Sequence, residues 1–88
     1  MSDFLAVDLG ATSARVAIGR VRDGRIDLEI AHRFTHEVTT ADDGSILWNW
    51  NLIVDEVLKG LRIALRNSQP ISLAVDGWAV DYGFISPE

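Results

Sequence analysis

Two aspartates each end a short apolar run, and a group of small residues follows the first of them. Asp8 ends the run at 4–8, and Asp76 ends the run at 71–76. The turn after the first run contains the candidates for phosphate binding, which are Gly10, Ala11, Thr12, Ser13, Ala14 and Arg15. Backbone N–H groups and hydroxyls in such a turn donate to phosphate oxygens, and an arginine adds positive charge. One or two carboxylates hold Mg²⁺ largely through water. The pattern predicts a site for a polyphosphate and a divalent cation.

The turn after Asp8 also has a purely structural interpretation, because Asp-x-Gly after a strand is a common tight turn. No Gly-Lys-Ser/Thr follows it, so the turn is not a P-loop, and it lacks the Gly-x-Gly-x-x-Gly pattern. The matched aspartate at the end of the later run, Asp76, is what favours a functional site over a plain turn.

Most histidines and tryptophans outside these motifs are predicted to be structural. We expect His32 and His36 to lie on the surface or on a strand face rather than to bind a ligand. Trp48 and Trp50 are expected in the core. Trp78 is the exception, since it follows the second aspartate by two positions and therefore lies at the predicted cleft.

The hydrophobic pattern predicts elements in the order β-β-β-α-β-β. The first strand covers residues 4–8 and the second covers 15–22. Asp23-Gly24, between the second and third strands, is a strong hairpin signal. Alternation over 25–34 predicts a third strand with one packed face and one solvated face.

A helix is predicted after the polar loop at 36–45, with Asn51 as its N-cap. Gly60 either weakens this helix by about 1 kcal/mol relative to Ala or allows another element to pack close. Strands at 71–75 and 78–85 complete the order. The apolar face of the helix is expected to comprise Ile53, Val54, Val57, Leu58, Leu61 and Leu65.

The predicted topology brings the two aspartates together. The first three strands should form an antiparallel meander, and the helix should return the chain, right-handed, to a strand parallel to the first. Asp8 and Asp76 would then lie at the carboxyl ends of adjacent parallel strands, where open α/β sheets bind ligands. The fold class is therefore α/β with a mixed sheet.

Composition excludes several classes of function. The 88 residues carry a net charge of −5, which disfavours nucleic acid as a partner, and 48% of them are hydrophobic, as in globular domains. There is no cysteine for a disulfide, and no apolar stretch is long enough to span a membrane. The N-terminal residues lack the features of a signal peptide. We expect one small, soluble, cytoplasmic domain.

Two motifs resemble a known enzyme family. The order β-β-β-α-β resembles the start of the ribonuclease-H-like, or actin-like ATPase, fold. The segment 6–15, AVDLGATSAR, resembles the first phosphate motif of the carbohydrate kinases that include glycerol, xylulose and gluconate kinases. The segment 73–82, LAVDGWAVDY, resembles the pattern Asp-Thr-Trp-Gly-Val-Asp-Tyr/Phe of these kinases. The resemblance covers essentially the whole chain.

The resemblance implies transfer of a phosphoryl group from ATP, with Mg²⁺, to a hydroxyl of a ketose such as L-rhamnulose. Xylulose, fuculose or glycerol are alternative substrates. By the motif match, Asp8 would help to hold the metal, and residues 10–15 would contact the ATP phosphates. The general base, an aspartate, would come from a later segment outside these residues. The residues bordering the sugar would be Asp76, Trp78, Ala79 and Asp81.

Three positions depart from the family pattern. Ala14 and Ala79 stand where the family usually has glycine, so the backbone there must keep a negative φ. Gly77 stands where threonine is usual, which removes a hydroxyl beside the predicted sugar site.

The chain is also predicted to be incomplete. Its first strand and the strand at 71–75 are apolar on both faces, as in sheets covered on both sides, yet one helix is present. We interpret residues 1–88 as the N-terminal part of the first actin-like ATPase domain of a sugar kinase, inactive alone. The uncovered face would pack against the rest of the kinase chain or self-associate.

Two other functions fit the same topology. A two-metal nuclease of the ribonuclease-H type also places acidic residues at the ends of these strands. The net charge and the hydroxyl-rich turn count against it. A non-catalytic nucleotide-binding or interaction domain would bind ATP without sugar-dependent release of ADP.

Overall fold

The computed structural model describes residues 2–87. The elements, in chain order, are β1 (Ser2–Leu9), β2 (Ser13–Arg22), β3 (Arg25–Thr35), β4 (Val38–Thr40), β5 (Ile46–Trp48), α1 (Trp50–Arg66) and β6 (Pro70–Asp76). A four-stranded sheet with the order β3-β2-β1-β6 forms the body, and a separate two-stranded hairpin, β4-β5, precedes the helix.

The sheet confirms the predicted meander and crossover. β1 pairs antiparallel with β2, β2 pairs antiparallel with β3, and β6 pairs parallel with β1. Asp23 and Gly24 both have positive φ, 50° and 76°, as the two-residue hairpin between β2 and β3 requires. The α/β class and the mixed sheet therefore follow from patterns in the sequence.

The third strand differs from its predicted alternation because a bulge interrupts it. Val16 pairs with His32 whereas Ala17 pairs with Ile30, so one residue of β3 has no partner. An extra residue exchanges the two faces of a strand, since side chains alternate with a period of two. His32 and Phe34, at and beyond the bulge, face α1, but the apolar residues before the bulge face solvent. These exposed residues are Ile26, Leu28 and Ile30.

The loop at 36–45, predicted to be irregular, contains β4 and leads into β5. The hairpin closes through a hydrogen bond from the Ala41 N–H to the Ser45 oxygen, and Gly44 has a φ of 87°. Hydrogen bonds from Ser45 to the exposed carboxylate lower the pKa of Asp43 below its usual value. This hairpin leads the chain from the end of β3 to the start of the helix.

The N-cap of helix α1 lies two residues before the predicted one. Asn49, rather than Asn51, caps it, because the Asn49 side chain accepts a hydrogen bond from the Leu52 N–H. The buried residues Ile53, Gly60 and Ala64 face the sheet. Two members of the predicted apolar face, Leu58 and Leu65, are exposed instead. Among residues 2–87, no helix has the length and apolar character needed to cross a membrane.

The core lies between α1 and one face of the sheet, in two adjoining clusters. The cluster near the amino end of β1 comprises Leu5, Val7, Val16, Ile18 and Ala64. The cluster near its carboxyl end comprises Ala14, Phe34 and Ile53, with Leu9, Trp48, Val57 and Trp78 packed against it. His32 also joins the layers, since its Nε2 lies 2.8 Å from the Glu56 carboxylate on α1.

The strand predicted at 78–85 is absent from the structure, where residues 77–87 include no helix or strand. Its apolar side chains are almost fully exposed, as Val80 and Phe84 illustrate at 92% and 95%. A strand needs a neighbour for its backbone hydrogen bonds, and none lies beside this segment among the described residues. The alternating segment at 78–85 therefore has no neighbouring strand to pair with among the described residues, and the predicted strand does not form.

The sheet is covered by helix on part of one face. Leu73 and Val75 of β6, on the α1 side, are 50% and 64% exposed because the helix packs against β2 and β3 instead. An apolar groove of about 170 Å³ runs between α1 and β6, lined by residues including Val7, Val54 and Val75. The opposite face carries the exposed side chains at 26, 28 and 30.

Replacing Gly60 with alanine is expected to destabilise the fold by about 1–2 kcal/mol. A Cβ at Gly60 would lie 2.6 Å from Val16 Cγ2 and 3.0 Å from His32 Cβ. Overpacking of this kind costs about 1–3 kcal/mol, which exceeds the gain of about 1 kcal/mol in helix propensity. Urea denaturation followed by circular dichroism measures the change. Gly77→Ala is the control, since its Cβ meets only Leu9 at 3.7 Å.

Candidate functional site

Three charged side chains meet at the carboxyl ends of β1 and β6. Asp8 and Asp76 are register partners in the parallel pair, and Asp8 and Arg15 are partners in the antiparallel pair. Register partners project on the same side of a sheet, which here is the side away from α1. Arg15 Nε donates to Asp8 Oδ2 at 3.1 Å, and both side chains are about half exposed. The strand ends thus present two carboxylates and one guanidinium to solvent.

The turn between β1 and β2 is closed by its own backbone. The Gly10 N–H donates to the Ser13 oxygen at 2.9 Å, so it is not free for a ligand. A Cβ at Gly10 would approach that same oxygen to 2.8 Å, which explains the glycine. Among the described residues, the N–H groups of Ala11 and Thr12 have no hydrogen-bond partner. These two donors, with the Thr12 hydroxyl, are available to an anion.

His36 holds this turn from the side that faces α1. Its Nε2 lies 2.9 Å from the Gly10 carbonyl oxygen, and its backbone N–H donates to the Thr12 carbonyl at 3.0 Å. Trp78 Nε1 donates to the same Gly10 oxygen at 3.1 Å. The turn is therefore attached both to the end of β3 and to the segment after β6.

Two tryptophans, Trp48 and Trp78, stack beside the turn and are called the aromatic shelf below. Their ring centroids are 4.1 Å apart and their planes are inclined by 12°. His36 meets both rings edge-on. Trp48 Nε1 donates to Asp81 Oδ2 at 2.6 Å, which fixes the segment after β6 across the shelf. Stacked indoles of this kind offer an apolar surface with a polar edge, as sugar rings require.

An open depression of about 690 Å³ lies beside the turn. Thr12 and Thr35 line it with hydroxyls, and Glu37 contributes a carboxylate. Hydroxyl and carboxylate groups match the donors and acceptors of a polyol better than the negative charge of a phosphate. Ala11 and Thr12, whose N–H groups are available to an anion, also line this depression.

The structure places the predicted site residues in different environments. Gly10, Ala11, Thr12 and Ser13 lie at the turn. Ala14 lies in the core at 3% exposure, because the pairing of β1 with β2 has already begun at this residue, so its side chain does not reach a ligand. Beyond β6, Ala79 is exposed in a turn. The site residues whose side chains the structure engages in hydrogen bonds or ion pairs are Asp8, Arg15, Trp78 and Asp81.

Two of the residues that build the site were not predicted to do so. His36, predicted to lie on the surface or on a strand face, is buried at 4% exposure and holds the turn. Trp48, predicted in the core, is half-buried and packs against the core cluster as part of the shelf. The available signal was the strand phase, since His36 continues the spacing of His32 and Phe34 by one step. A Cβ at Gly77, where the family usually has threonine, would meet only Leu9, at 3.7 Å.

The two carboxylates at the strand ends fit a single magnesium ion. Mg²⁺ keeps several waters and takes one or two protein carboxylates, which Asp8 and Asp76 supply on one side of the sheet. Within the described residues there is no group of three or more His, Cys, Asp or Glu side chains placed to hold a metal. A Mg²⁺ ion held by these two carboxylates would keep water at most of its coordination positions.

Comparisons with known proteins bear on this site. No family model matches the chain. The chain is 42% identical over 79 residues to a rhamnulokinase of Oceanobacillus iheyensis, a match that covers 89% of this chain and 17% of that protein. It is 35% identical over 89 residues to a rhamnulokinase of Ligilactobacillus salivarius, covering 100% of this chain and 18% of that protein. A rhamnulokinase of Bacillus subtilis is 31% identical over 80 residues, or 90% of this chain and 16% of that protein.

The chain therefore resembles the rhamnulokinases over nearly all of its length. It spans about a sixth of the length of these relatives. The carbohydrate-kinase resemblance of the two sequence motifs is therefore confirmed. The same segments supply the carboxylates, the turn and half of the aromatic shelf.

Proposed function

We propose that this chain is the part of an ATP-dependent sugar kinase that binds the phosphates of ATP and one side of the sugar. The sugar is a ketose, with L-rhamnulose as the first candidate because the relatives are named rhamnulokinases. The observation that carries the proposal is the register of Asp8 with Asp76, beside a turn with two free N–H donors. The complete fold is proposed to be the ribonuclease-H-like one, with residues 1–88 as part of its first domain.

Each residue of the site has a role in this proposal. Asp8, with Asp76 beside it, would hold Mg²⁺, which supplies charge neutralisation for the transferred phosphoryl group. Ala11 and Thr12 would donate their N–H groups to phosphate oxygens. Trp78 would present its ring to the sugar, with the segment through Ala79 and Asp81 at the border. Phosphoryl transfer needs positioning and charge stabilisation more than covalent catalysis, so small residues suffice here.

Arg15 is proposed to have different partners in the empty and the ligand-bound site. Its guanidinium lies against Asp8 at 3.1 Å, which neutralises one carboxylate without a ligand. If the carboxylates held a cation, the Arg15 guanidinium would move away from Asp8, because like charges repel. The freed guanidinium would then lie beside the turn, where it can pair with a phosphate oxygen. Arg15 would thus pair with Asp8 in the empty site and with a phosphate oxygen in the occupied one.

The geometry favours the kinase over the two-metal nuclease. A two-metal site needs ligands for a pair of ions about 3.5–4 Å apart, whereas two carboxylates meet here and no larger group of metal-ligating side chains occurs within residues 2–87. The net charge of −5 also repels a nucleic acid. The carboxylate pair and the sugar-facing shelf together suit a small polar substrate.

Kinase competence can be tested in a chimera in which this chain replaces its matched segment in the Oceanobacillus iheyensis rhamnulokinase. We expect ADP release that requires ATP, Mg²⁺ and L-rhamnulose together. A folded chimera that binds ATP but releases no ADP would refute the catalytic role and support a binding module. Hydrolysis of an RNA–DNA hybrid would support the nuclease instead.

The sugar substrate is tested with the protein that the complete reading frame containing residues 1–88 encodes, not with the chimera. That protein is assayed with ATP and a panel of L-rhamnulose, L-fuculose, D-xylulose and glycerol in a coupled ADP assay. We expect the highest kcat/KM for L-rhamnulose. A higher value for another sugar would replace the substrate while leaving the kinase assignment intact.

A further inference from the structure

The Gly10 carbonyl accepts hydrogen bonds from two side chains at once. His36 Nε2 lies 2.9 Å from it and Trp78 Nε1 lies 3.1 Å from it. A carbonyl oxygen only accepts and an indole N–H only donates. His36 Nε2 must therefore carry a hydrogen, an assignment that follows from the network around the ring.

This arrangement leaves the other ring nitrogen of His36 without a partner. Nδ1 is buried and has no hydrogen bond among the described residues. An unpaired buried polar atom carries a free-energy penalty, and such atoms are rare in folded proteins. An apolar side chain would fill the same space beside Phe34 and Trp48 without that penalty. What a histidine adds at this position, and an apolar side chain does not, is the hydrogen bond to the Gly10 carbonyl.

Because the peptide unit is planar, the orientation of the Gly10 carbonyl also determines the orientation of the Ala11 N–H. The Gly10 carbonyl and the Ala11 N–H belong to one planar trans peptide unit and point in opposite directions. Fixing the carbonyl toward His36 and Trp78 therefore aims the Ala11 N–H away from them. The backbone bond from the His36 N–H to the Thr12 carbonyl fixes the Ser13 N–H in the same way.

We infer that His36 is a positioning residue, which orients the Ala11 N–H toward a phosphate oxygen by holding the Gly10 carbonyl. The inference rests on the proposed kinase function and adds a residue outside its phosphate motif. Because Trp78 shares the carbonyl, the sugar-side shelf and the phosphate-side donors are attached to one oxygen atom. A shift of the shelf would therefore rotate the peptide that faces the phosphate.

The first test uses the 88-residue chain and needs no catalysis. His36→Leu removes the donor, whereas His36→Gln retains an N–H near the position of Nε2. In ¹H–¹⁵N spectra we expect the Ala11 amide resonance to move in the leucine variant and to remain near its original position in the glutamine variant. His32→Leu is the matched control, since His32 bonds to Glu56 and not to the turn. An unmoved Ala11 resonance in folded His36→Leu would overturn the inference.

The second test measures steady-state kinetics in the chimera. Misplacement of a positioned group by about 1 Å costs about a hundredfold in rate, so His36→Leu should lower kcat/KM for ATP by about ten- to a hundredfold. His36→Gln should retain most of the original kcat/KM for ATP. His32→Leu should leave kcat/KM unchanged. Equal losses in both His36 variants, with the fold intact, would overturn the inference. An inactive unmodified chimera would refute the proposed function, and the Ala11 resonance alone would then decide on His36.

Discussion

Replacing Asp8 with asparagine is expected to lower kcat of the chimera by about 10²- to 10³-fold. Asparagine keeps the shape of the side chain and an oxygen that accepts from Arg15, so the bond at 3.1 Å can persist. What the substitution removes is the negative charge that holds the metal. The coupled ADP assay, run over a range of Mg²⁺ concentrations, measures the effect.

Asp27→Asn serves as the control for Asp8→Asn. Asp27 is exposed on β3, at the end of the sheet away from the turn, so its loss should leave kcat unchanged. Unchanged turnover in Asp8→Asn would remove the metal role proposed for this carboxylate. Restoration of the variant's activity by higher Mg²⁺ would support that role directly, because it separates metal affinity from folding.

Replacing Ile18 with alanine is expected to destabilise the chain by about 2–5 kcal/mol. Ile18 is fully buried in the cluster shared by β1, β2 and α1. A domain of this size has a total stability of about 4–13 kcal/mol, so the substitution removes a large share of it. Urea denaturation of the 88-residue chain, followed by circular dichroism at equilibrium, measures the loss.

The control for Ile18→Ala is the same substitution on the exposed face. Ile26 is 69% exposed on β3, so Ile26→Ala should change the free energy of unfolding by less than about 0.5 kcal/mol. A similar loss from both substitutions would show that the face carrying Ile26 is also covered in solution. That outcome would contradict the core as described.

The sequence allowed the meeting of Asp8 and Asp76 to be predicted, because it depends on robust rules. Two apolar runs joined by a helical crossover must return parallel and right-handed, and Asp23-Gly24 determines the intervening hairpin. The charged pair of Asp8 and Arg15 follows from the same register. Each of these features arises from local patterns that the rest of the fold does not override.

Other features could not be predicted because they depend on distant contacts. The bulge in β3 is not visible in an unbroken alternation, so the sequence did not show that Ile26 and Ile30 lie on the solvent side of the strand. The burial of His36 depends on Gly10 and on the two tryptophans that meet there from separate segments. Residues 78–85 alternate like a strand, but a strand forms only where a neighbour accepts its hydrogen bonds.

The parallel pairing of β6 with β1 has a consequence for the order in which the site forms. β1, the turn and β2 are contiguous, and hairpins form in about 1–10 μs. Trp78 and Gly10 are 68 residues apart, so their contact must await closure of a long loop. The turn between β1 and β2 therefore takes shape early in folding, whereas the second carboxylate and the aromatic shelf dock late. A newly made chain thus forms the turn, with the N–H donors of Ala11 and Thr12, before Asp76 and Trp78 come to lie beside it.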